Sequence, residues 1–175
     1  MRNLLIAYIA LIFFSGCFLN NKEEKKNVIY FFDLKTYFSK TAEKLNQSNL
    51  LISKSVSKNE LTETKQLKIN DWNQELALFM DADINKPAWK DDYSKDSTEQ
   101  KIIYTAKNQD LKTQKIEIDM ALGLPKKIRI NTQVSNFLYQ TKEDLLFYPD
   151  SCYQIIKNQN VIVLGENSYK ITAFF

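Results

Sequence analysis

From Glu99 onward the apolar period changes to two in successive short runs, and no other feature constrains the fold as tightly. Ile102, Tyr104 and Ala106 alternate with Lys101, Ile103 and Thr105. Ile116, Ile118 and Met120 alternate with Lys115, Glu117 and Asp119, and Ile128, Ile130, Thr132 and Val134 with Lys127, Arg129, Asn131 and Gln133. A period of two places alternate residues on opposite faces of a strand, so one face meets a core and the other meets water. Gly123-Leu124-Pro125 marks a turn between the second and third runs. Further strands are expected at 145–148, 153–156, 161–164 and 169–175. Short strands joined by tight polar turns predict an antiparallel meander of about five to seven strands.

The first half of the chain supplies the cover. Phe31, Leu34, Phe38, Ala42 and Leu45 share one helical face, with Lys35, Lys40, Glu43 and Lys44 mostly opposite. Asp33 puts a negative charge at the start of this helix, where the dipole favours it. Residues 50–56 and 61–69 alternate loosely around Lys58-Asn59-Glu60, which predicts a hairpin, with a continued helix as the alternative. Asp71 and Gln74 have capping-box spacing, Trp72, Leu76, Phe79 and Met80 form one stripe, and Pro87 ends this second helix at or before Lys86. The fold class is therefore α+β, in the order α-β-β-α-β(n), with two amphipathic helices packed on the meander. Residues 28–175 form a single domain.

Composition removes whole classes of chemistry. The chain has no histidine, two cysteines and three glycines (Gly16, Gly123, Gly165). Histidine relays are excluded, and too few glycines are present for either nucleotide-binding fingerprint. The net charge of +3 is interspersed rather than gathered into a basic face, so no nucleic-acid partner is expected. The acidic pairs Glu23/Glu24, Asp91/Asp92 and Glu143/Asp144 are merely adjacent. Cys152 has no histidine to activate it. No enzyme activity and no cofactor are expected.

Two features remain as candidate sites. Asp81, Asp83 and Asn85 occupy positions 1, 3 and 5 of a twelve-residue calcium loop and Asp92 occupies position 12, but Lys86 stands where the loop needs glycine. This makes a weak calcium candidate, and an acidic surface loop is the simpler expectation. Trp89 and Tyr93 fall outside regular periodicity and are candidate partner-binding aromatics.

The N-terminus addresses the chain. Arg2 precedes an apolar run of eleven residues, 4–14, which suits a cleaved signal of about 7–15 apolar residues and falls short of the roughly 20 needed to span a bilayer. Phe14-Ser15-Gly16-Cys17 resembles the lipobox of bacterial lipoproteins. That resemblance implies a signal peptide over 1–16, cleavage after Gly16 and lipidation of Cys17, palmitate included. Residues 17–27 would be the lipidated cysteine and a polar tether. Lys22-Glu23-Glu24 looks somewhat like the acidic stretch that directs some Bacteroidota lipoproteins to the cell surface.

Taken together, Phe32-Asp33-Leu34-Lys35, Asp71-Trp72, the run from Ala82 to Trp89 and Tyr148-Pro149-Asp150-Ser151 are similar to a group of small Bacteroidota lipoproteins of unassigned function. The resemblance implies the cell envelope, in particular the outer membrane, and casts the DADINKPAW stretch as a structural or docking feature. The expectation is a lipid-anchored, non-catalytic envelope protein with a binding or structural role. Its partners would be a membrane, through the anchor, and an unknown envelope protein. The alternative is a carrier of an apolar ligand, a lipid or lipoprotein, in a cavity between sheet and helices.

Overall fold

The structure, a computed structural model, describes residues 28–175. Gly16, Cys17 and the tether lie outside the described residues.

Helix α1 spans Leu34–Ser48. It begins where Asp33 Oδ1 accepts the Thr36 N–H at 2.8 Å and ends at Asn49, whose φ of 49° is the left-handed conformation that asparagine tolerates. Strands β1 (Leu51–Lys58) and β2 (Leu61–Lys68) form the expected hairpin, turning at Asn59 with φ 53°. Two single-turn helices follow, α2 (Trp72–Glu75) and α3 (Ala77–Met80), then a 3₁₀ turn over Pro87–Trp89. Seven strands complete the chain: β3 (Tyr93–Ser97), β4 (Lys101–Ala106), β5 (Thr113–Ala121), β6 (Leu124–Ser135), β7 (Tyr139–Tyr148), β8 (Cys152–Val161) and β9 (Gly165–Phe174).

The nine strands of the described residues belong to one antiparallel sheet in the order β2-β1-β9-β8-β7-β6-β5-β4-β3. Strands β3 to β9 run as a meander, and the β1–β2 hairpin extends it beyond β9. The meander holds seven strands, the top of the expected range, and the sheet reaches nine because the hairpin extends it. Strand β3 is an edge whose last four residues, Ser94 to Ser97, carry no apolar side chain. The β1–β2 hairpin joins the same sheet rather than standing apart.

The second helix also differs from expectation. Asp71 does cap it, accepting N–H groups from Asn73 and Gln74. Leu76 then takes φ −96° and ψ 10°, which divides the segment into two turns. The break lets Trp72, Leu76 and Phe79 all reach the core, since each is buried.

The core lies on one face of the sheet. Leu34, Phe38, Ala42 and Leu45 from α1 meet Ile116, Ile118, Ile128, Ile130, Leu145, Phe147 and Tyr153 from the strands. Phe38, Phe79 and Phe147 form an aromatic cluster with ring centroids 4.8–5.9 Å apart. These side chains fill the space between helices and sheet. Clefts of about 400 and 900 Å³ open elsewhere on the sheet and one of about 280 Å³ lies beside Leu78 of α3, but the one beside α1 at the β7–β8 turn measures only about 120 Å³. Small-molecule sites occupy about 300–1,000 Å³, so the space beside α1 does not suit a lipid.

Candidate functional site

The two candidate aromatics have different fates. Tyr93 is buried, and its hydroxyl donates to the Thr113 carbonyl at 2.9 Å. Its ring packs edge-on against Phe31. Burial, with the nearby Asp92 charge, pushes its hydroxyl up to about 12. Tyr93 is therefore a core residue that fastens β3 to β5, which corrects its place as a surface aromatic. Trp89 is half-buried, with the Lys86 ammonium 3.9 Å from its ring centroid. That cation–π contact covers part of the ring that a partner would use.

The acidic stretch is a buckle for the N-terminal segment and does not form a cation loop. Asn85 Oδ1 accepts from both Tyr30 N–H and Phe31 N–H at 3.0 Å. Its Nδ2 donates to the Phe31 and Phe32 carbonyls and to Asp83 Oδ1. The oxygen that the spacing offers to calcium is thus committed to backbone. Burial raises the Asp83 carboxyl above the ordinary range, an effect the Asn85 hydrogen bond partly offsets. Asp81 is exposed at the end of α3, and Asp92 bonds through its carbonyl to Lys107 N–H. Among the described residues, no three acidic or thiol side chains gather as a metal site would require. Asn85→Ala is expected to cost about 1–3 kcal/mol, because it leaves backbone groups of 30–32 unpaired. Limited proteolysis should then cut near residue 30 faster; an unchanged cleavage rate would refute the buckle.

The surface with most capacity for contact is the sheet face opposite the helices. Its centre is a ladder of paired charges. Lys101 and Lys115 both reach Glu117, at 3.1 and 2.5 Å, and Lys127 reaches Asp119 at 3.3 Å. Arg129 grips Asp144 through both Nε and an Nη, at 2.9 and 2.7 Å. The Lys115 bond, then the Lys101 bond against a partial cost of burial, hold the Glu117 carboxyl below its usual range. Pairing holds these long side chains against a flat strand lattice, although exposed pairs contribute only about 0–1 kcal/mol each to stability.

Toward the β6–β7 and β8–β9 turns the charges give way to amides. Asn59, Gln140, Asn158, Asn160 and Ser168, with Lys142 and Glu166, line an open cleft of about 400 Å³. Asn59 ties the β1–β2 turn to β9, donating its N–H to the Ser168 carbonyl at 2.7 Å and accepting the Ser168 N–H on Oδ1 at 2.9 Å. Ser168 Oγ lies 2.8 Å from Asn158 Oδ1. Such a cleft offers neutral donors and acceptors but no nucleophile activated by a base. Cys152 is half-exposed at the start of β8. The cleft was hidden in the sequence because Gln140, Asn158 and Ser168 come from three strands and meet only through register.

No family model, no curated protein and no solved structure matches this chain.

Proposed function

We propose that this protein is a lipid-anchored, non-catalytic component of the cell envelope that binds a partner through the uncovered face of its sheet. The observation that supports this reading is the asymmetry of the sheet. One face is filled by helices and the N-terminal segment, while the other is left bare across the strands, with the charges at its centre paired. A rigid face with neutralised charges loses little side-chain freedom on contact, which lowers the cost of binding. The filled interior gives no comparable support to a carrier of apolar ligands.

Two measurements test the two halves. Cells fed radiolabelled palmitate are expected to label the protein, and Cys17→Ala to abolish the label; an unlabelled wild-type protein would overturn the anchor. A photo-crosslinking side chain at Gln140 or Ser168 is expected to trap one reproducible envelope partner in intact cells, while the same group at exposed Leu122 traps none. Equal labelling at all three positions would overturn the binding face.

A further inference from the structure

Two neighbouring turns at one end of the sheet display apolar side chains that neither the turns nor the core require. The β6–β7 turn carries Phe137 and Leu138, and the β8–β9 turn carries Ile162, Val163 and Leu164. Phe137 is 87% and Val163 88% exposed, and the other three are exposed by more than half. Turns ordinarily draw on Gly, Pro, Asn, Asp and Ser, and a β-branched residue is poorly suited to one. Here Asn136 and Gly165 meet the local demands instead. Asn136 Oδ1 accepts the Leu138 and Tyr139 N–H groups at 2.8 and 3.0 Å, and Gly165 takes φ 75°. The five apolar side chains are left without a structural task.

The two turns form one platform. Tyr139 pairs with Val161 across β7 and β8, and the Ile162 N–H donates to the Leu138 carbonyl at 3.2 Å. Between Asn136 and Tyr139, and again between Val161 and Gly165, no residue is charged. Scattered apolar residues on a surface are ordinary, but a contiguous, uncharged patch projecting from a rigid edge marks an interaction site.

The residues before Val28 limit what can cover this platform. The lipobox-like Cys17 lies eleven residues before Val28, and those residues span at most about 36–40 Å when extended. Phe31 packs on Tyr104, which lies in the cross-strand row of Ile116 and Ile130. Phe137 is seven residues beyond Ile130, or about 23 Å along the strand direction. A membrane holding Cys17 is therefore within reach of the plane of the tips. Lys58, Lys142 and Lys157 behind the tips are balanced by Glu60, Glu143 and Glu166, so the attraction is apolar rather than ionic.

We infer that Phe137, Leu138, Ile162, Val163 and Leu164 insert into the apolar boundary of a lipid bilayer, a second contact that stands the sheet upright on the membrane that anchors it. This rests on the anchored reading, but the tips are tested without the anchor. The chain from residue 17 with Cys17→Ser is mixed with neutral phosphatidylcholine vesicles and floated. Association is expected, with a partition coefficient at least tenfold lower in Phe137→Ser/Val163→Ser and unchanged in Leu122→Ser, an equally exposed leucine at the opposite end of the sheet. In Val163→Trp, the new indole is expected to be quenched by brominated lipid, as half-buried Trp89 and buried Trp72 are not. All substituted positions are exposed, so folding is not at stake. No vesicle association, or association indifferent to the tip substitutions, overturns the inference. A concentration-dependent dimer abolished by the tip substitutions would assign the tips to a second copy and likewise overturn it. If the protein takes up no palmitate in cells while the floated chain still binds through its tips, the anchor falls and the tips stand.

Discussion

Phe38→Ala is expected to lower the unfolding free energy by about 3–5 kcal/mol, the range for removing a fully buried aromatic ring. Phe38 carries the aromatic contact between α1 and the sheet. Its ring lies 4.8 Å from Phe79, 5.0 Å from Phe147 and 5.2 Å from Tyr37, centroid to centroid. Truncation forfeits the transfer energy of the ring and leaves a void bounded by three elements that cannot all close on it. A helix of fifteen residues is marginal by itself, so α1 depends on this contact. Urea unfolding followed by circular dichroism gives the measurement. A change below about 1 kcal/mol would mean the aromatic cluster is not the centre of the core.

Glu75→Ala is expected to cost about 3 kcal/mol, for an electrostatic reason. Glu75 Oε1 accepts from the Lys54 ammonium at 2.6 Å and from the Tyr153 hydroxyl. The lysine and glutamate side chains are 18% and 17% exposed, and Tyr153 is fully buried. The three residues come from β1, α2 and β8, so one carboxylate ties the short helix to two strands. Removing it leaves an uncompensated ammonium and a buried hydroxyl without an acceptor, and that desolvation cost is larger than the net worth of the pair. The triple substitution Lys54→Met/Glu75→Leu/Tyr153→Phe removes the charge and the hydroxyl together and should recover most of the loss. Chemical denaturation of the single and triple variants decides the matter: equal destabilisation in both would show that packing volume, and not unpaired charge, causes the effect.

The sheet was largely legible because alternation is a local property. Ile116/Ile118 and Ile128/Ile130 announce both the strand and the face that is buried, and all four are buried. The same rule misled at 161–164. Val161-Ile162-Val163-Leu164 has strand composition, yet β8 ends at Val161 and the next three residues form an exposed turn. Composition reports what a segment prefers, while register with β7 decides where the strand must end. Strand β3 was missed for the opposite reason: an edge strand needs no buried pattern, and polar residues protect its free edge. Trp89 and Tyr93 looked alike beside the proline, but Tyr93 begins β3 and points its hydroxyl at Thr113, whereas Trp89 stays in the loop.

By itself, the sequence determined an α+β domain, a helix beginning close to Asp33, a hairpin around Asn59 and a strand-rich second half with one wet face. Each rests on interactions within a few residues, which periodicity and caps report directly. Only the tertiary structure decided that Asn85 fastens backbone fifty-four residues away, that Lys54, Glu75 and Tyr153 share a buried contact, and that two turns twenty-five residues apart form one apolar tip. Those contacts are made by the pairing of distant strands, and their spacing along the chain carries no trace of which residues the register will bring together.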